Sequence, residues 1–279
     1  MSTSAVALVL LAAFLHASWN AVLRISGDRF IVMALLNGSA GVVAAFLIPF
    51  APLPAPPSWP NIALSAVLHT GYNLFLVAAY AHGGLGQVYP IARGSAPLLV
   101  LALAWLLLGE AVSGTQLVAV VILCAGIAAL ALRGGRVARL SGTGVACALA
   151  TAGFIGAYTV TDAAGARVAG SPHGYALWLF LLDGISAMAI ALWWRGRAVL
   201  ATARTDWRPA LAAGGMALAG YWLVIWALTL APAATVAALR ETSVVIAALI
   251  GTFLLNEPMG AWRVAAAVVV AVGAVMLRL

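Results

Sequence analysis

The sequence predicts an all-α membrane protein with ten transmembrane helices, arranged as two inverted five-helix repeats. Of its 279 residues, 65% are hydrophobic and only 8% are charged, whereas a soluble domain carries about 25% charged residues to cover its surface. Its apolar runs are about 20 residues long and lack period-2 alternation, which indicates membrane-spanning helices and not the strands of a barrel. The third observation is a weak internal repeat at a spacing of 147 residues.

Ten apolar segments are separated by residues that interrupt helices. The proline-rich residues 49–60, the pair Gly83-Gly84 and the pair Ala231-Pro232 each mark a turn. The polar stretches 133–143 and 195–208 are predicted to be connecting loops. The predicted helices cover residues 4–24, 30–50, 61–81, 86–108, 113–132, 144–163, 173–194, 209–230, 233–255 and 260–278.

The repeat relates the two halves of the chain. A shift of 147 residues carries Gly109-Glu110 onto Asn256-Glu257 and Arg93 onto Arg240, and near the start Trp19-Asn20 falls opposite Tyr158-Thr159. Because five is odd, the second half enters the membrane from the opposite side. We therefore predict one repeat over residues 1–133, a basic connecting loop over 134–143 and a second repeat over 144–279. Inverted repeats are typical of transporters, since they give two related packings.

The basic residues predict the orientation in the membrane. The chain has 14 basic residues, all arginine, and they lie in short loops without interleaved aromatic residues, which argues against nucleic-acid binding. We call the end of the bundle that holds both termini side A and the opposite end side B. Side A carries Arg167 and Arg278, and the positive-inside rule places side B in the cytoplasm. Side B carries ten arginines: Arg24, Arg29, Arg133, Arg136, Arg139, Arg195, Arg197, Arg204, Arg208 and Arg263.

Short motifs identify the chain as similar to a known family. Four short motifs resemble those of the EamA-type members of the drug/metabolite transporter superfamily. They are the run from His16 to Asn20, Ala96-Pro97, the end of the fourth segment at Leu108-Gly109-Glu110, and its counterpart Leu255-Asn256-Glu257-Pro258. The resemblance implies that helices one, three, four, six, eight and nine surround a central cavity, with helices five and ten at the periphery. It also implies that both termini are cytoplasmic, which conflicts with the arginine count. Val244 stands where the first half has Pro97.

Two arginines are predicted to lie near the middle of the membrane. Arg93 and Arg240 each lie about 10 Å into their helices at a rise of ~1.5 Å per residue, from opposite sides. Burying arginine at this depth costs a few kcal/mol or more. One interpretation is that they bind the anionic part of a substrate, because the guanidinium fork suits a carboxylate. The alternative is that buried acids neutralise them, and the candidate partners, which are also candidate proton sites, are Glu241, Asp183 and Asp162.

Aromatic and polar residues recur on the faces of several predicted helices. His16, Trp19 and Asn20 share one face, as do His69, Tyr72 and Asn73, because spacings of three and four lie together on a helix. We expect these side chains to face one wet cavity, with contacts between helices as the alternative. His16 and His69 are also candidates to carry a coupling proton. Further candidate lining residues are Tyr89, Tyr158 and Trp222.

The function predicted from these features is secondary transport of small metabolites, such as amino acids or organic anions, by alternating access, most simply as an exporter. No nucleotide-binding loop occurs, and we expect no cofactor, no metal site and no enzymatic activity. The alternatives are an intramembrane enzyme and a non-transporting subunit of a membrane complex. The expected partners are a small-molecule substrate and the lipid bilayer of a bacterial-type inner membrane. The expected assembly is a monomer or a homodimer.

Overall fold

The computed structural model describes residues 1–22, 28–82, 85–129, 141–255 and 260–277. These residues form α-helices joined by short connections, and two 3-10 turns, Ile48–Phe50 and Pro56–Ser58, lie in the proline-rich connection. The helices are α1 (Thr3–Val22), α2 (Arg29–Leu47), α3 (Trp59–His82), α4 (Leu85–Leu108), α5 (Gly114–Ala129), α6 (Gly142–Val168), α7 (Pro172–Arg195), α8 (Arg197–Leu230), α9 (Ala233–Arg240), α10 (Ser243–Leu255) and α11 (Ala261–Met276).

These helices make ten membrane spans. Eight stretches in the described residues are long and apolar enough to cross a bilayer, and one of them, Ala233–Ile250, runs through α9 into α10. The remaining two spans are the shorter apolar helices α5 and α11. Three of the helices begin at polar caps, in which the side chains of Asp28, Ser141 and Ser171 accept hydrogen bonds from backbone N–H groups of the first turn. The predicted all-α membrane fold is confirmed.

The crossing of α2 and α7 displays the relation between the two halves. A Cβ added at Gly41 would lie 3.1 Å from the Cα of Gly184, and one added at Gly184 would lie 2.9 Å from the Cα of Gly41. A shift of 143 residues carries Gly41 onto Gly184. Each glycine therefore admits its repeat-related partner, and the two backbones touch where only small residues fit.

The same reciprocity holds at the periphery, where α5 packs on α11. A Cβ at Gly126 would lie 2.9 Å from the backbone nitrogen of Val270, and one at Gly273 would lie 2.8 Å from that of Leu123. A shift of 147 residues exchanges these two contacts. Elsewhere α1 packs on α8 and α3 packs on α6, and the repeat converts one pair into the other. The ten spans thus form two inverted five-helix repeats, as predicted.

The predicted loop over residues 195–208 is wrong, because α8 begins at Arg197 and continues for 34 residues to Leu230. A helix of that length is about 51 Å long, and the hydrocarbon core of a bilayer is only about 30 Å thick. The first turns of α8 therefore extend beyond the hydrocarbon at side B. Val199 and Ala210 anchor them, since both are buried in an apolar cluster with Ile31 and Ala191.

The predicted ninth helix is interrupted at Glu241 and Thr242, which separate α9 from α10. The N–H groups of these two residues bond to Ala238 and Leu239, three residues back, which tightens the backbone away from α-helical geometry. The Thr242 hydroxyl also donates to the carbonyl of Leu239 at 2.8 Å, a local bond that competes with the helix. The break leaves Arg240 as the last residue of α9.

Candidate functional site

A cavity runs from the middle of the bundle toward side B and encloses about 680 Å³, its open mouth included. The expected helices α1, α3, α4, α6, α8 and α9 all contribute to its wall. The expectation is corrected in one respect, because α2 and α7 also line the cavity. The lining residues are Ala12, His16, Trp19, Met33, Leu36, Asn37, His69, Tyr72, Asn73, Arg93, Tyr158, Phe180, Asp183, Ala217, Gly220, Tyr221, Val224 and Arg240.

Arg240 lines the deep end of the cavity and is only 4% exposed. Its Nε and Nη2 atoms have no hydrogen-bond partner within the described part of the chain. Its guanidinium carbon lies 5.8 Å from the centre of the Tyr221 ring, a cation–π arrangement that leaves the N–H donors available. A buried guanidinium with unmet donors is costly, and an anion entering the cavity would satisfy it.

Arg93, the repeat counterpart of Arg240, is in different surroundings. Its Nε lies 2.8 Å from Oε2 of Glu241, and the two side chains are 3% and 1% exposed. This ion pair joins α4 of the first half to the break between α9 and α10 in the second half. The sequence left open whether each arginine binds substrate or is neutralised by a buried acid. Arg93 is neutralised by a buried acid, Glu241.

Tyr221 connects Arg240 to a second buried acid. Its hydroxyl donates to Oδ2 of Asp162 at 2.6 Å, and the Tyr175 hydroxyl donates to Oδ1 of the same carboxyl group at 3.0 Å. Asp162 is completely buried, although its position near the end of the predicted sixth segment also allowed it to be solvated. These hydrogen bonds hold the Tyr221 ring beneath Arg240.

Asp183 lines the cavity from α7 and is only 4% exposed. Its Oδ1 atom has no hydrogen-bond partner among the described residues. Asn37 of α2, which is 6% exposed, lines the same region. Asn37 was missed in the sequence, where a lone amide in an apolar segment was the only signal for it.

The aromatic residues of the cavity pack on one another. His69 stacks on Tyr158 with ring centres 4.0 Å apart, and its Nδ1 lies 2.9 Å from the backbone carbonyl of Ser65. Tyr72 meets Tyr158 edge to face at 5.8 Å. The cavity therefore combines a charged deep end with aromatic walls.

Of the three residues predicted to line the cavity from α1, two do so and the third bonds to its own helix. His16 and Trp19 line the cavity, with their rings edge to face and 5.0 Å apart. The amide nitrogen of Asn20 instead donates to the carbonyl of His16 at 2.7 Å, and Asn20 is not among the lining residues. In α3, both Tyr72 and Asn73 reach the cavity.

Trp222, a further candidate, lies elsewhere. The indole nitrogen of Trp222 donates to Nδ1 of His173 at 2.8 Å, which turns Trp222 toward α7 and away from the cavity. The side chain of Tyr89 is outside the described residues. Glu257, the repeat counterpart of Glu110, is outside them as well.

Side A of the bundle is closed by an ion pair at the helix ends. Arg167 Nη2 lies 2.6 Å from Oε1 of Glu110, and Arg167 also donates to the carbonyls of Leu228 and Ala231. Both oxygens of Glu110 accept from the backbone nitrogen of Ala233. Glu110 thus caps α9 and joins the end of α4 to α6 and α8, and we call this set of contacts the side-A latch.

Small apolar residues fill the space between the latch and the cavity. Ala104 of α4, Ala163 of α6 and Ala227 of α8 belong to one buried cluster with Ala5 and Val9 of α1. Small side chains bring the backbones close and exclude water. The described bundle is therefore sealed toward side A and open toward side B.

Comparison with known proteins agrees with this architecture. The EamA-like transporter family matches residues 3–132 and again residues 142–279. A solved structure titled "Crystal structure of protein" superposes with a TM-score of 0.75 at 17% identity, covering 99% of this chain and 96% of that one, which supports the fold alone. No curated protein matches the sequence significantly. The two family matches, one for each half, show that this chain belongs to the EamA-like transporter family.

Proposed function

We propose that the protein is a secondary exporter of small metabolites that carry a carboxylate, with amino acids and small organic anions as the substrate class. The observation that carries the proposal is Arg240, which lines the cavity and whose buried Nε and Nη2 atoms have no hydrogen-bond partner among the described residues. Guanidinium groups bind carboxylates through charge-assisted hydrogen bonds. The aromatic walls suit an apolar or aromatic substrate body.

Asp183 extends the proposal to zwitterions. Asp183 lines the same cavity as Arg240, and its Oδ1 atom has no partner among the described residues, so the two residues offer one acceptor and one cationic donor. An amino acid satisfies both, with its carboxylate on Arg240 and its ammonium group on Asp183. The roles of Asp183, Asp162 and Glu241 as proton sites stay proposals of the same kind.

Transport would proceed by rocking of the two repeats, residues 1–133 and 144–279, which residues 134–143 connect. Opening toward side A requires the side-A latch to break and the apolar cluster beneath it to separate. The reciprocal glycine contacts support this mechanism, because they give the two halves equivalent packing surfaces. The cavity lies within one chain, which we take as the transport unit, alone or in a homodimer.

We propose that side B faces the cytoplasm of a bacterial-type inner membrane, because ten of the twelve arginines outside the midplane pair lie at that end. The open cavity would then be the state in which an exporter loads its substrate. Reporter domains fused to the C-terminus test the orientation. A reporter that works only outside the cytoplasm should be active, and activity of a cytoplasm-only reporter instead would reverse the assignment.

The experiment that tests the function is uptake of labelled amino acids and small organic anions into liposomes that contain the purified protein. Arg240→Gln is compared with Arg197→Gln, an exposed arginine at the side-B end of α8. Both variants are first checked for folding by size exclusion and thermal unfolding. We expect wild type and Arg197→Gln to move a carboxylate-bearing solute and Arg240→Gln to fold without moving it. Unchanged uptake by Arg240→Gln would refute the proposed site.

A further inference from the structure

We propose that Glu241 is a specificity-determining residue, which neutralises Arg93 and so restricts the cavity to substrates with a single carboxylate at its deep end. The inference rests on the proposed transport function and adds to it the charge that the substrate carries. It concerns a residue whose counterpart in the first repeat is a glycine, Gly94.

The asymmetry is present in the sequence. The shift of 147 residues carries Arg93 onto Arg240, but it carries Gly94 onto Glu241. A fully symmetric pair of halves would place two arginines near the midplane with either two acids or none. The chain has one acid for two arginines at these positions, so only one of the arginines is neutralised by this means.

The structure selects which arginine that is. The Glu241 carboxylate lies 2.8 Å from Arg93 on α4, although Arg240 is its neighbour in the chain. The break between α9 and α10 occurs at Glu241 itself. Arg240 keeps buried Nε and Nη2 atoms that no described residue accepts from. The deep end therefore presents one ion pair and one guanidinium that is ready to bind an anion.

Removing the acid should create a second anion site. In Glu241→Gln the shape of the side chain is kept, but Arg93 becomes a buried cation without its carboxylate. Such a charge is strongly unfavourable in a membrane interior. A second carboxylate on the substrate would relieve it, so the variant should prefer substrates with two carboxylates.

A second substitution tests whether the effect passes through Arg93. In the double variant Arg93→Gln, Glu241→Gln, a neutral pair replaces the ion pair and Arg240 is again the single cation of the three. Its selectivity should return to that of wild type. In Arg93→Gln alone, Glu241 loses its partner and attracts the adjacent Arg240, so uptake of a single-carboxylate solute should fall.

The experiment measures uptake of matched solutes that differ by one carboxylate: phenylalanine against 4-carboxyphenylalanine, and glutamine against glutamate. We expect Glu241→Gln to raise the ratio of two-carboxylate to one-carboxylate uptake by about tenfold or more, as a charge-assisted contact allows. The double variant should lie within about threefold of wild type, because the two changes cancel. Arg93→Gln alone should lose about tenfold in uptake of the one-carboxylate solute.

The outcomes separate the inference from the function. A wild type that moves none of the solutes refutes the proposed transport. An active wild type with an unchanged ratio in Glu241→Gln refutes only the role of Glu241, as does a raised ratio that persists in the double variant. If Glu241→Gln fails to fold, Arg93→Gln decides, and full uptake by that variant overturns the inference.

Discussion

Gly41 and Gly184 have the same role in the contact between α2 and α7, whereas Arg93 and Arg240, which the repeat also relates, have different surroundings. Each glycine admits the backbone of the other half. Of the arginines, one is paired with Glu241, and the other lines the cavity with Nε and Nη2 atoms that no described residue accepts from. The packing of the two halves has kept its symmetry, while the polar residues at the midplane have lost it. In the proposed mechanism, symmetric packing allows two related states, and the asymmetric charge defines what binds.

The two ends of the bundle differ as well. Side A carries the latch of Glu110 and Arg167, whose side chains are 13% and 33% exposed, whereas the Asp28–Arg195 pair at side B is 37% and 45% exposed. The side-A latch joins the ends of several helices, and the side-B pair joins α7 to the cap of α2. In the proposed mechanism, we therefore expect the latch to contribute more than the exposed pair to the equilibrium between the states open to side A and to side B.

The largest effect on uptake is expected from replacing Arg240, and replacing Arg93 together with Glu241 provides the comparison. Arg240→Gln should reduce uptake of a carboxylate-bearing solute by about 100-fold, since a charge-assisted bidentate contact is worth several kcal/mol when buried. The double variant Arg93→Gln, Glu241→Gln should retain uptake within about threefold of wild type. Initial rates in liposomes measure both. Equal losses in the two variants would show that the arginines are equivalent after all.

The symmetric contact predicts a loss of stability. Gly184→Ala and Gly41→Ala should each destabilise the purified protein by about 1–3 kcal/mol, because the added methyl group meets backbone atoms. Gly215→Ala is the matched control, since a Cβ at that position meets nothing within 4 Å. Thermal unfolding in detergent measures all three. A melting temperature of Gly184→Ala equal to that of Gly215→Ala would contradict the close crossing.

Asp183 is expected to distinguish zwitterions from simple anions. Asp183→Asn should lower amino-acid uptake by about tenfold, because it removes the negative charge offered to the ammonium group. Uptake of a carboxylic acid that lacks the amino group should change much less. Competition between the two solutes in one liposome preparation gives the ratio. An equal loss for both solutes would assign Asp183 to packing.

The smallest effect is expected at the side-A latch, because the pair is partly exposed and screened by solvent. Glu110→Gln keeps an acceptor for Ala233 but removes the charge opposite Arg167. It should raise the fraction of molecules open to side A by about threefold, because a partly exposed ion pair contributes less than about 1 kcal/mol. Labelling of a cysteine at Ala104 from side A measures it, and Asp28→Asn is the control. Equal rates in the two variants would remove the latch from the mechanism.

Part of this arrangement was predictable from the sequence. Composition and the repeat predict the ten spans, and the depth of Arg93 and Arg240 in their segments predicts two polar residues near the midplane. The pairing of Arg93 with Glu241 was not predictable, because it depends on how α4 and α9 are rotated about their axes. The break at Glu241 has no glycine or proline to mark it. Trp222 is turned away from the cavity by His173, a partner on another helix that sequence periodicity does not reveal.

The contribution of α2 and α7 to the cavity was also not predictable from the sequence. Asn37 and Asp183 line the cavity from the two helices that cross at Gly41 and Gly184. Spacing along one helix predicts which residues share a face. It does not predict which face turns inward when nearly all of the faces are apolar. Residues 197–208 were predicted to be a loop because they are polar. They are helical all the same, and their polar side chains are accommodated because this part of α8 lies outside the hydrocarbon.

We propose that one cavity opens alternately to the two sides of the membrane. The most direct measurement uses a single cysteine at Ala217, which lines the cavity, with Cys124 and Cys147 replaced by alanine. A membrane-impermeant thiol reagent is applied to each side of sealed vesicles, with and without a transported solute. Without solute we expect rapid labelling from side B alone, and a transported solute should slow that labelling and produce labelling from side A. Labelling that stays confined to side B whatever solute is present would contradict alternating access.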